Sequence, residues 1–82
     1  MIPYPLIDPN KTGENIRIAR ESHHMSVRDL QSYLHLASPR MVYHWQSGKS
    51  LPSLDHFYAM SVLWNMSLND LISIKPLTPE KE

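Results

Sequence analysis

The chain has 82 residues, no cysteine, and eight acidic against eight basic side chains. This describes one small domain with no disulfide or thiolate metal site to brace it, so stability must come from helix packing or from a second subunit. No apolar run is long enough to span a bilayer, the opening MIPYPLIDP lacks the parts of a signal peptide, and a cysteine-free chain suits the cytoplasm.

Residues 1–8 are proline-rich and read as an extended N-terminal arm. Asp8-Pro9 then looks like a helix start, a carboxylate cap followed by proline at the first helical position. This first helix is placed at 9–23, with Thr12 as the alternative cap. Ile16, Ala19 and His23 share a face at helical spacing, while Ile18 points elsewhere. Ser26 caps a second helix at 27–34, with Val27, Leu30 and Leu34 as its stripe and Asp29 in its first turn. Ser38 caps a third at 39–47, with Pro39 first and Val42, Trp45 and Met41 apolar. Gly48 ends it, since glycine accepts the left-handed conformation. Ser53 caps a fourth at 54–64, whose inward stripe reads Leu54, Phe57, Met60, Ser61 and Trp64. Asn65 is its stop. Ser67 caps a fifth at 68–73, with Leu68, Leu71 and Ile72 inward. Residues 75–82 read as a disordered tail. Strand signals and repeats are absent. The expected fold is all-α, a compact five-helix bundle over 9–74.

Charge is unevenly placed. Between Asp29 and Asp55 there is no acidic residue, and this stretch holds Arg40, Lys49, His35 and His44 among hydroxyls. A surface meant to lie on phosphates has this composition. The zero net charge argues against a strongly basic DNA-binding domain, so a mildly positive face on a neutral body is expected. Five histidines raise the question of metal. None pairs at i, i+4 with a nearby carboxylate, so no metal site is expected. No nucleophile–base spacing and no phosphate-cradling glycine loop is present, so neither enzyme activity nor a cofactor is expected. Tyr58 and Val62 lie one turn apart beside the inward stripe of the fourth helix. With Leu63 they form a candidate apolar patch for a partner.

The segment Ser26 to Pro52 has the layout of a helix-turn-helix. Its carriers are Ile16 and Arg20, Ser26-Val27-Arg28-Asp29-Leu30, Val42 through Lys49, Leu51-Pro52-Ser53, and Met66 through Leu71. The most specific part is the hydrophobic-x-x-Trp-x-x-Gly-x-x-x-Pro-Ser segment. Together these resemble the phage-repressor type of helix-turn-helix, the Cro-like or XRE family, over residues 12–72. The resemblance implies a lambda-repressor-like DNA-binding fold and a bacterial or phage transcriptional regulator. Where the family often has glycine, this chain has His24, His35 and Asn65, residue types enriched at positive φ. The turn is one residue longer at Ala37. Val27 stands where the family commonly has a phosphate-binding glutamine. Gln46 replaces the glutamate that often pairs with the first-helix arginine, here Arg20, turning an ion pair into a charge-assisted hydrogen bond.

The resemblance assigns the third helix to the major groove. Arg40 in its first turn is the expected principal base reader, with His44 second and Tyr43 and Pro39 beside them. Lys49, Ser50, Ser47, Arg28 and Ser38 suit phosphate contact. For any of these the plain alternative is a solvated side chain, or for Tyr43 a cover over the core. A homodimer through Tyr58, Val62 and Leu63 would suit a palindromic duplex operator, with no membrane and no small-molecule effector evident. The expected function is transcriptional repression. The alternative is a protein-interaction or antitoxin-like module that docks a partner through its apolar fourth helix.

Overall fold

The computed structural model describes residues 4–76. Its element order is α1 (Pro9–Ser22), α2 (Val27–Tyr33), α3 (Arg40–Ser47), α4 (Leu54–Trp64) and α5 (Leu68–Leu71). The all-α expectation holds, and four of the five helices start where the expected caps place them. Residues 1–3 of the expected arm and 77–82 of the expected tail lie outside the described residues.

Each start is set by local chemistry. The Asp8 carboxylate accepts from the Lys11 N–H at 3.1 Å, with Pro9 leading α1. Thr12, the alternative cap, is fully buried inside α1. Ser26 and Asp29 form a reciprocal capping box, each side chain bonded to the other's backbone N–H at 3.0 and 2.9 Å. Ser53 and Ser67 cap α4 and α5. The start of α3 differs from expectation. Pro39 is the cap residue rather than the first helical one, and the Ser38 hydroxyl accepts from the Arg40 N–H at 3.3 Å.

The ends of the first four helices share one device. The residue past each helix is left-handed: His24 (φ 57°), His35 (φ 58°), Gly48 (φ 82°) and Asn65 (φ 53°). At each end the following N–H reaches back five residues. Met25 donates to Arg20, Leu36 to Gln31, Lys49 to His44 and Met66 to Ser61, at 2.9–3.0 Å. These are Schellman closures, which satisfy carbonyls that would otherwise lack partners. Helix α5 stops differently. Ile72 turns extended, so the helix ends at Leu71 instead of 73.

The core is Ile16 and Ala19 of α1, Leu30 of α2 with Leu34 at its end, Val42 and Trp45 of α3, Phe57, Met60 and Trp64 of α4, and Leu71 of α5. Two residues expected inward, Leu54 and His23, are not, and the apolar Met41 is also exposed. Leu54 is 73% exposed and Met41 41%. Leu54 lies about a quarter turn from the Phe57–Met60–Trp64 line, and Met41 sits on the flank of α3. His23 caps α1 instead of lining its inner face, yet its ring stacks on Trp64 at 6.1 Å between centroids.

The segments that flank the helices, 6–8 and 73–75, meet, which no strand pattern announced. Ile7 and Ile74 form an isolated antiparallel bridge. The Asp8 N–H donates to the Ser73 carbonyl, and the Lys75 N–H to that of Leu6, both at 2.8 Å. Thr12 reinforces the closure, its hydroxyl accepting from the Ser73 N–H at 3.0 Å and donating to the Ser73 carbonyl at 3.2 Å. The Asn15 amide donates to the Leu71 carbonyl at 3.0 Å and to the Ser73 hydroxyl at 2.8 Å. The described residues on either side of the expected boundaries at 8 and 75 are therefore bonded to each other.

Candidate nucleic-acid interface

Helix α3 is fixed from behind by α1. At Gly13 the two backbones touch, and a Cβ there would collide with the Trp45 carbonyl and press on Gln46. No side chain fits at that position, and neither neighbour is a flexible side-chain end. About two turns further along α1, Arg20 is almost wholly buried. Its Nε donates to Gln46 Oε1 at 2.9 Å, and its Nη1 donates to the Met25 carbonyl at 2.8 Å. The expected Arg20–Gln46 tie is present. It joins α1, the α1–α2 turn and the end of α3 through one guanidinium. Gly48 then turns the chain away, with the Asn10 side chain against the space its Cβ would occupy.

With Val42 and Trp45 fully buried, helical geometry dictates what faces out. Positions 40, 43, 44 and 47 fall within an arc of about 100° on the opposite side. The structure leaves Arg40, Tyr43 and Ser47 exposed and His44 half-buried. Tyr43 is 56% exposed, so it does not cover the core. Pro39 is half-buried at the cap.

The residues expected on phosphates frame this face. Arg28 is exposed in the first turn of α2 and Ser38 is exposed before α3. Lys49 is exposed past Gly48, and the Ser47 hydroxyl donates to the His44 carbonyl at 3.1 Å. Ser50 departs from the pattern. Its hydroxyl oxygen is buried and has no hydrogen-bond partner among the described residues. The indole nitrogen of Trp45 is in the same condition, and the indole is tilted against the His56 ring at 5.4 Å between centroids. Of the two acids that bound the acid-free stretch, Asp29 is occupied by its capping box and Asp55 lies in the first turn of α4. On α1, Glu14 and Glu21 flank Arg17 at 3.7 and 3.0 Å, which balances part of their charge.

On α4, Tyr58 and Val62 are 64% and 58% exposed. Leu63 is half-buried and packs against the core, so it adds less to the outer patch than its neighbours. Leu54 joins them instead, at i, i+4, i+8 spacing. Sequence reasoning missed Leu54 because a helix apolar on nearly every side offers no contrast between faces. It also missed Gly13, which reads as an ordinary helical glycine until its partner helix is known.

A capped α2, a left-handed turn at His35, and an α3 whose outer face is exposed make a helix-turn-helix within the five-helix fold. Solved structures agree. The fold is similar to that of the restriction-modification controller protein C.AhdI from Aeromonas hydrophila, with a TM-score of 0.68 and 20% identity over 78% of this chain and 96% of that one. It is also similar to a transcriptional regulator from Listeria innocua, with a TM-score of 0.70 and 16% identity over 84% of this chain. The chain spans 64% of that regulator's length. No family model matches the sequence, and no curated relative does. Among the described residues no helix is long and apolar enough to cross a membrane.

Proposed function

We propose that this protein is a cytoplasmic, sequence-specific DNA-binding transcriptional regulator that lays α3 in the major groove of duplex DNA. The observation that carries the reading is the two-sided character of α3. Val42 and Trp45 anchor one side, and Arg40, Tyr43, His44 and Ser47 occupy the other. That outer side sits inside a stretch with no acidic residue from 30 to 54. Arg40 reads guanine through two parallel hydrogen bonds, and His44 contacts a neighbouring base edge. Lys49, Arg28, Ser38 and Ser47 hold phosphates and set the register. Two copies, joined through the outer face of α4, bind a palindromic operator, and occupancy of that operator represses transcription. The fold similarity to two regulators supports this assignment at the level of architecture.

Titration with a random duplex and with a selected operator, each at two salt concentrations, tests the proposal. Affinity should fall steeply with salt on both duplexes, and the operator should bind more tightly at either salt. Absence of duplex binding at low salt would remove the reading. One observation favours a second reading, a module that docks another protein. It is the exposed stripe Leu54, Tyr58 and Val62 on α4. Under that reading the same titration shows no duplex binding.

A further inference from the structure

The outer face of α3 is built from two ridges of different chemistry. Side chains four apart stack along a helix, so Arg40 and His44 form one ridge, and Pro39 and Tyr43 form the other. The first presents a planar donor fork and an imidazole. The second presents a pyrrolidine ring and a phenol that is 56% exposed. A face that met only phosphates would gain nothing from an exposed aromatic beside its arginine. A face that meets base edges would. The major groove offers purine N7 and O6 acceptors, and it offers one apolar group, the C5 methyl of thymine.

Resting on the DNA-binding reading above, we propose that the Pro39–Tyr43 ridge is a thymine-methyl reader. The half-site then combines a guanine, bound by Arg40, with a neighbouring thymine whose methyl packs on the Tyr43 ring. Tyr43 follows Arg40 by three residues, less than one turn, so the two side chains reach adjacent base pairs. The contact is apolar, so it depends on the methyl group and on the ring, and the phenolic hydroxyl is dispensable.

Deoxyuridine, which lacks only that methyl, is the probe. Duplexes are selected for binding, and each thymine of one half-site is replaced in turn. Wild-type protein should lose about fourfold in affinity at one or two positions, the effect of one buried methyl-sized group. Tyr43→Phe should keep that sensitivity. Tyr43→Ala should bind the thymine operator more weakly and show no further loss with deoxyuridine at the same position. Arg40→Ala should lose its guanine preference while remaining sensitive to the methyl. The proposal is overturned alone if operator preference persists and depends on Arg40 but no deoxyuridine matters. It is overturned equally if Tyr43→Phe behaves as Tyr43→Ala, which would make the hydroxyl the contact. Failure of every duplex to bind at low salt removes the DNA-binding reading together with it.

Discussion

Helices α3 and α4 are eight and eleven residues long, and each drives a tryptophan and an aliphatic or aromatic neighbour into the same core. Their outer faces are opposites. Helix α3 turns an arginine, a histidine and hydroxyls outward, whereas α4 turns out Leu54, Tyr58 and Val62 with Asp55 alone as a charged residue. Inner faces answer to one demand, the removal of apolar surface from water. Outer faces answer to whatever lies beyond. A helix apolar on both sides is ordinarily a buried one. On the proposed reading, the polar outer face meets phosphates and bases, and the apolar outer face meets protein.

The largest expected effect tests how rigidly α3 is held. Gly13→Val sets a branched side chain against the Trp45 carbonyl and the Gln46 backbone. Overpacking against backbone that has nowhere to move should cost about 3 kcal/mol or more. Thermal unfolding monitored by circular dichroism should report a midpoint lowered by more than about 10 °C. The corresponding change on the outer face of α4, Tyr58→Ser, should alter monomer stability by less than about 0.5 kcal/mol. Equal losses from the two would erase the distinction between a braced helix and a free surface.

Next comes DNA. Arg40→Ala should cost ~1–3 kcal/mol per half-site and relax the preference at one or two base pairs. Lys49→Gln should weaken all duplexes alike and lower the salt slope by about one unit per lost contact. If Arg40→Ala weakens operator and random DNA equally, Arg40 is a phosphate contact, and base reading passes to His44 and Tyr43. Tyr58→Ser together with Val62→Ser should leave the affinity for a single half-site unchanged while weakening subunit association about tenfold, ~1.4 kcal/mol. Sedimentation equilibrium checks this. A wild-type protein that stays monomeric at high concentration, alone and on DNA, would return α4 to the status of plain surface.

The smallest effect concerns the tie behind α3. Gln46→Glu replaces a neutral acceptor by a charged one facing the nearly buried Arg20. Charge-assisted bonds are the stronger kind, so the midpoint should rise by several degrees, ~1 kcal/mol. An unchanged midpoint would mean that the Met25 carbonyl and the Glu21 carboxylate, 3.6 Å from Nη2, already satisfy the guanidinium.

Much of this architecture was legible because helix ends are local events. A serine or aspartate ahead of an apolar repeat favours a cap, and a histidine or asparagine just past one tolerates the left-handed conformation. That is why His24, His35 and Asn65 could be anticipated at positive φ. The outer face of α3 was legible for a related reason. Once Val42 and Trp45 point inward, geometry leaves Arg40, Tyr43, His44 and Ser47 outside. What stayed hidden depends on partners distant in sequence. Leu54 lies on a helix whose apolar residues fall on nearly every side, so its pattern does not declare which way it faces. Gly13 has meaning only against Trp45, and Thr12 only against Ser73. The Ile7–Ile74 bridge pairs two segments too short to show any alternation. Ser50, expected on a phosphate, carries its buried hydroxyl for no reason visible in the sequence.

That terminal bridge also bears on how the molecule assembles. Thr12 and Ser73 are 61 residues apart in the chain, whereas the helix stops close over five. Loop closure costs entropy that grows with the separation, so local helical turns are expected to form early and the clasp between arm and C-terminal segment late. The reverse order holds for opening. The N–H groups of Asp8, Ser73 and Lys75 should exchange with solvent deuterium well before those of Trp45 and Met60, which open only with the whole domain. Tethering Leu6 to Lys75 by a short covalent link stabilises a contact that forms after the transition state, so unfolding should slow more than folding accelerates.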